Sequence, residues 1–106
     1  MSNIKKGILI FASDVKENKS GYYQEIVIHQ KEIKDGDKTF QYEEYWPFRI
    51  FDKERRSKKF VPTELEFIQK KPLIHVTYYD RGNVFDGDKG RKYFVNYHMI
   101  RWEESN

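Results

Sequence analysis

Tyr45-Trp46-Pro47-Phe48-Arg49-Ile50-Phe51-Asp52-Lys53 is the stretch that decides how this chain folds. Side chains on a strand alternate between faces, so Trp46, Phe48 and Ile50 share one side and Tyr45, Arg49 and Phe51 the other. The first set is wholly apolar and suits a core. The second sets a cation between two rings. Rings stack on bases, and a guanidinium neutralises phosphate or stacks beside them. This second face is therefore a candidate surface for single-stranded nucleic acid. The competing reading makes both faces core, with Arg49 snorkelling out to water. Pro47 cannot donate to a strand ladder, so a bulge or an unpaired edge is expected at that point.

Working outward from this strand, the sequence reads as β structure in both directions. It begins near Thr39, after Lys34-Asp35-Gly36-Asp37-Lys38, where Asp-Gly between β-rich runs predicts a hairpin. Before that hairpin, Tyr22 to Ile33 reads as a strand with Ile26 and Ile28 inward and Tyr23, Val27 and His29 on the other parity. Gly7 to Ala12 is a short continuous apolar run, expected to be buried on both faces for part of its length. The polar segment Asp14 to Gly21 between them ends in a turn. After the central strand, Asp52 to Lys59 holds Lys53, Arg55, Arg56, Lys58 and Lys59, which read equally as a solvated loop or as a phosphate-contacting arm. Thr63 to Lys71 predicts a short helix, with Thr63 and Glu66 as a capping box, Leu65 and Ile68 as its apolar stripe and Pro72 as its stop. Leu73 to Phe85 and Tyr93 to Trp102 read as two more strands around the turn Asp86-Gly87-Asp88-Lys89-Gly90, with an interruption expected at Arg81-Gly82-Asn83. Three strands, a helix and two strands is the order of an all-β, five-stranded OB-fold barrel with one short helix between strands 3 and 4.

Composition bounds the rest. A chain of 106 residues is expected to form one domain, residues 1–106. Hydrophobic residues make up 38% and aromatic residues 17%, so a few large rings must supply much of the core. The net charge of +3 is a mild bias, compatible with binding a polyanion. With no cysteine, disulfides and thiolate metal sites are excluded. The apolar run after the N-terminus is too short for a signal peptide and no stretch approaches a membrane span, so a cytoplasmic protein without membrane contact is expected. His29, His75 and His98 lie far apart in sequence, and Glu43 and Glu44 point to opposite faces if strand-borne. No P-loop, nucleophile elbow or dinucleotide fingerprint occurs, so neither an enzyme nor a cofactor is expected.

The quoted residues also carry a resemblance. Tyr45 to Lys53 is similar to the third strand of bacterial and phage single-stranded DNA-binding proteins, where an aromatic opens a β-rich run closing in Phe-Gly-Lys. The hairpin Ile33 to Lys38 sits where that family places a polar, glycine-bearing turn. Phe85-Asp86-Gly87-Asp88-Lys89-Gly90-Arg91-Lys92-Tyr93 looks like the family's last hairpin, an aromatic before a short turn followed by basic residues and Tyr. Position by position, the resemblance implies that Tyr45, Phe51 and Phe85 stack on bases. The departures are Ala12-Ser13 and Thr77-Tyr78 near the places of usual glycines, Gln30 and Lys31 where the second strand carries a stacking ring, and the absence of a glycine-rich tail with an acidic tip. They point to a divergent phage or mobile-element type.

Two functions follow as expectations. The first is non-catalytic binding of single-stranded DNA, or of RNA, in replication or recombination. Its site would comprise Tyr45, Arg49, Phe51, Lys53, Arg55, Arg56, Phe85, Arg91, Lys92, Tyr93 and Tyr23, working in a homodimer or homotetramer. The second is a protein–protein module on the same barrel, such as a phage-encoded inhibitor or adaptor using the exposed rings as hot spots.

Overall fold

A computed structural model describes residues 2–31, 33–40 and 43–105. The strands are β1 (Asn3–Ala12), β2 (Lys16–Asn18), β3 (Gly21–Gln30), β4 (Ile33–Asp35), β5 (Lys38–Phe40) and β6 (Glu44–Asp52), then helix α1 (Leu65–Gln69), then β7 (Leu73–Gly87) and β8 (Gly90–Glu104). The alternation read from the central strand holds along β6: Phe48 and Ile50 are buried, Trp46 packs against the core, and Tyr45, Arg49 and Phe51 are exposed. The reading that buries both faces is thereby excluded. β3 pairs with β6 without interruption from Tyr22↔Asp52 to Gln30↔Glu44, so Ile26 and Ile28 meet Phe48 and Trp46 on the inner side.

The long strands pair in the circuit β1–β7–β8–β6–β3 and β3 returns to β1, an arrangement consistent with an OB-fold. Leu9, Ile74, Val76, Tyr78 and Met99 complete the buried interior with Val61 from the loop before α1. Tyr97 stands edge-on to Trp46, Phe48 and Tyr78, so rings fill space that a chain poor in aliphatics could not. Gln24 is the buried polar exception. Its side-chain amide donates to Ser13 O at 3.0 Å and to Val61 O at 2.9 Å, while Val61 N–H donates to its Oε1 at 2.9 Å. A buried polar group so satisfied pins the β1–β2 connection and the loop before α1 to the sheet.

Several local expectations are corrected. Pro47 sits opposite Val27 inside a regular ladder, and no bulge occurs there. The register shifts fall instead between Leu9 and Phe11 in β1 and between Thr77 and Tyr78 in β7. The first shift turns Phe11 outward, and with Ile10 also exposed β1 is not buried on both faces. Arg81, Gly82 and Asn83 do not interrupt β7; they pair in register with Asn96, Val95 and Phe94. The polar segment after Ala12 contributes β2, paired to the start of β3. The capping box does not form: Glu64 is the N-cap without a side-chain bond, which moves Glu66 off the third helical position. Phe67 rather than Leu65 meets the interior, 6.3 Å from Trp102. The hairpin predicted at Lys34–Lys38 is present as β4–β5, with Gly36 at the positive φ of 63° that its turn requires. The strands predicted over Tyr22–Ile33 and Thr39–Phe51 run partly over residues 32, 41 and 42, which lie outside the described residues.

Candidate nucleic-acid interface

The outer face of β3 and β6 is built by their register. His29 lies opposite Tyr45, Val27 opposite Pro47, Glu25 opposite Arg49 and Tyr23 opposite Phe51. A strand rises about 3.3 Å per residue, so Tyr45 and Phe51 stand roughly 20 Å apart with Arg49 between them. At one end the His29 and Tyr45 rings stack at 4.6 Å and 7° between planes. The Tyr45 hydroxyl donates to Glu43 Oε2 at 3.1 Å, and this acceptor raises the Tyr45 pKa and keeps the phenol neutral. One face of the Tyr45 ring is thus occupied by an imidazole, and the residue remains 57% exposed.

At the other end Phe51 pairs with half-buried Tyr23. Gly21 starts β3 at φ 147°, and a Cβ there would meet Asp52 O at 2.6 Å, so glycine lets the two strands close at this end. Immediately beyond, Asp52 ties the basic segment back on itself. Glu54 N–H donates to Asp52 Oδ1 at 3.1 Å, and hydrogen bonds from Ser57 and the backbone hold the Asp52 carboxyl below its ordinary pKa. Lys53, Arg55 and Arg56 leave this turn exposed, and among the described residues none of them is in an ion pair.

β8 joins β6 at Arg49↔His98 alone among the described residues. Pro47 accounts for the gap on the Asn96 side of that bridge. It has no N–H, and an unbroken ladder to Val27 leaves that missing donor on the edge turned toward β8. A cleft opens there, lined by Phe11, Val27, Pro47, Arg49, Val95 and Tyr97. A second groove on the far side of Arg49 is lined by Asn18, Tyr23, Glu25, Arg49, Phe51 and His98. Arg49 lines both.

The β7–β8 hairpin separates residues that the sequence placed together. Val84 pairs with Tyr93 and Phe85 with Lys92, so Phe85 and Tyr93 stand on opposite sides, both exposed. Tyr93 continues the side of Val95 and Tyr97, which line the cleft. Phe85 and Lys92 share the side of Tyr79, Arg81, Phe94 and His98. Arg91 is bound across the turn by Asp86, Nε to Oδ1 at 2.7 Å, and this carboxylate raises its pKa. Its charge is therefore partly spent locally, unlike that of Lys92.

Sequence reasoning missed His29, His98, Phe11, Val27 and Val95. Parity alone puts His29 on the face of Tyr23, but only the register shows that it meets Tyr45. Phe11 faces outward through a register shift that no residue type in β1 announces.

No protein-family model matches the sequence, and neither does any curated protein. Solved structures do match in fold. Two crystal structures of Rim1, the mitochondrial single-stranded DNA-binding protein of S. cerevisiae, each align with a TM-score of 0.54 at 14% identity, over 98% of this chain and 93% of that one. The SSB of Plasmodium falciparum in complex with ssDNA aligns with a TM-score of 0.62 at 8% identity, over 99% of this chain and 94% of that one. At these identities the likeness is one of fold.

Proposed function

We propose that this chain binds single-stranded DNA, without catalysis, along the outer face of β3 and β6, and that it serves DNA replication or recombination as a divergent, phage or mobile-element relative of the single-stranded DNA-binding proteins. The observation that carries the reading is the row Tyr45, Arg49, Phe51: ring, cation, ring, all exposed on one strand. Its outward rings, turned away from a complete core, offer π-faces to successive bases at about 1–3 kcal/mol each, with little dependence on sequence. Lys53, Arg55, Arg56 and Lys92 supply the salt-dependent part. The fold shared with Rim1 and with an SSB whose structure holds ssDNA supports the same reading. Tyr93 acts from the cleft side of the hairpin and Phe85 from the other, so the strand would pass on either flank of β8.

The test is fluorescence anisotropy of a labelled oligo-dT at two salt concentrations. A label on the DNA is required because Trp46 and Trp102 both pack against the core and neither stands on the outer face. Tight binding that weakens as salt rises supports the reading. An affinity for oligo-dT no greater than for a neutral polymer would leave the exposed rings to a protein partner.

A further inference from the structure

His98 occupies an unusual position in the second groove. It forms the one bridge between β8 and β6 among the described residues, and its ring stacks on Tyr79 at 5.1 Å and 16° between planes. Cations reach it from three other parts of the chain. Arg49 is its partner on β6, Arg81 follows Tyr79 on the same side of β7, and Lys59 comes from the loop after β6. Among the described residues none of these three is in an ion pair. Glu25, opposite Arg49 on β3, is the carboxylate that lines the groove, with Tyr23, Asn18 and Phe51 as its other walls. Glu25 opposite Arg49, and Asp52 beside Lys59, offset these three cations only in part, and the remaining positive field favours an anionic guest.

We propose that Arg49, Arg81 and His98 form a phosphate subsite at the β6–β8 junction, where a backbone phosphate of the bound strand lodges and His98 takes up a proton with it. This rests on the single-stranded DNA reading and adds to it a fixed phosphate register and a proton linkage. In the free protein, burial first and then Arg49, Arg81 and Lys59 hold the His98 pKa below its ordinary value. The imidazole is therefore neutral near pH 7. A phosphate carries one negative charge and offsets part of the repulsion from the surrounding cations, which raises the His98 pKa in the complex. Binding then takes up a fraction of a proton between the two pKa values, and affinity rises as pH falls through that window.

The test has two arms on the full chain. In the first, the imidazole resonances of His98 are titrated by NMR without added anion and with sodium sulfate, which does not itself titrate in this range. The midpoint should move up with sulfate, and no movement overturns the subsite. In the second, oligo-dT affinity is measured by anisotropy at pH 7.5 and pH 5.5 at fixed ionic strength. The wild type should bind about three- to tenfold tighter at the lower pH, the yield of up to one linked proton. H98Q should lose that slope, whereas H75Q, which alters an imidazole on β7 opposite Lys6 of β1 and outside this interface, should keep it. Tight binding with a slope of zero, or a slope that H98Q retains, overturns the proposal and leaves the single-stranded DNA reading intact. Absence of binding at both pH values removes that reading and this proposal with it, and a sulfate-induced shift would then mark an adventitious ion only.

Discussion

Replacing Tyr45 and Phe51 together by Ala separates a stacking surface from an exposed remnant of the core. Tyr45 is 57% exposed and Phe51 39%. If each ring stacks one base, losing both removes about 2–6 kcal/mol, a fall in affinity of about 30-fold to about 20,000-fold. The cost to the fold is smaller. Tyr45 loses its stack on His29, worth about 0.5–1.5 kcal/mol, and Phe51 its cross-strand contact with Tyr23, worth about 0.2–1 kcal/mol. Phe48→Ala, from the inner side of the same strand, should instead destabilise by about 3–5 kcal/mol through loss of buried area and the cavity left behind. The assay is oligo-dT anisotropy across a salt series, paired with urea denaturation of each variant. Rings displace no counterions, so the double variant should bind weakly with an unchanged salt slope. Affinity within about threefold of the parent, in a variant that still folds, would refute the stacking role, because a single lost stack already exceeds that.

Three further outcomes are expected. Arg55→Ala with Arg56→Ala should flatten the dependence of log affinity on log salt by about 1.4, at roughly 0.7 per phosphate contact with a single strand, whereas an unchanged slope would show the arm to be a plain solvated loop. Gln24→Ala should destabilise by about 2–4 kcal/mol in urea, since it orphans Val61 N–H and the carbonyls of Ser13 and Val61; a loss below about 0.5 kcal/mol would mean that the loop before α1 is held by Val61 packing alone. Sedimentation at micromolar concentration should give a homodimer or homotetramer, as a small barrel covering only about 4–16 nucleotides gains reach by pairing, and a monomer would count against that expectation.

The long strands were legible where the period of two survives, as it does along β3 and β6 and at the start of β7. Trp46, Phe48 and Ile50 announce an inner face without help from the rest of the chain, and Ile26, Ile28, Ile74 and Val76 repeat the pattern. Features that depend on two strands meeting were not legible. The stack of His29 on Tyr45 needs the register of β3 against β6, which is set across a connection whose length the sequence shows but whose path it does not. The outward turn of Phe11 needs a register shift placed by the pairing of β1 with β3. Phe85 and Tyr93 read as one cluster from the sequence because they flank one short turn and the basic pair Arg91-Lys92. Hairpin pairing sends them to opposite sides, since eight residues apart across a turn fixes nothing about facing until each has its partner. α1 departs from its sequence signal at its first turn, where Glu64 rather than Thr63 is the N-cap and makes no side-chain bond.

Pro47 ties the fold to the candidate site. The sequence argument treated it as evidence against a fully paired strand, and that argument is correct for one edge of β6 only. Toward β3 the ladder is complete, because a proline opposite Val27 is needed for no bond there. Toward β8 the missing donor removes the partner that a second ladder would require, and the two strands meet at Arg49↔His98 alone among the described residues. A fuller ladder would bring Val95 and Tyr97 alongside β6 and close the cleft that they now line with Phe11 and Pro47. It would also leave Arg49 flanked by paired backbone on both sides, where it now lines two grooves at once. The residue that weakens the sheet at this join is thus the one that leaves room for a ligand, and it stands two residues from Tyr45 and four from Phe51, the rings on which that ligand would stack.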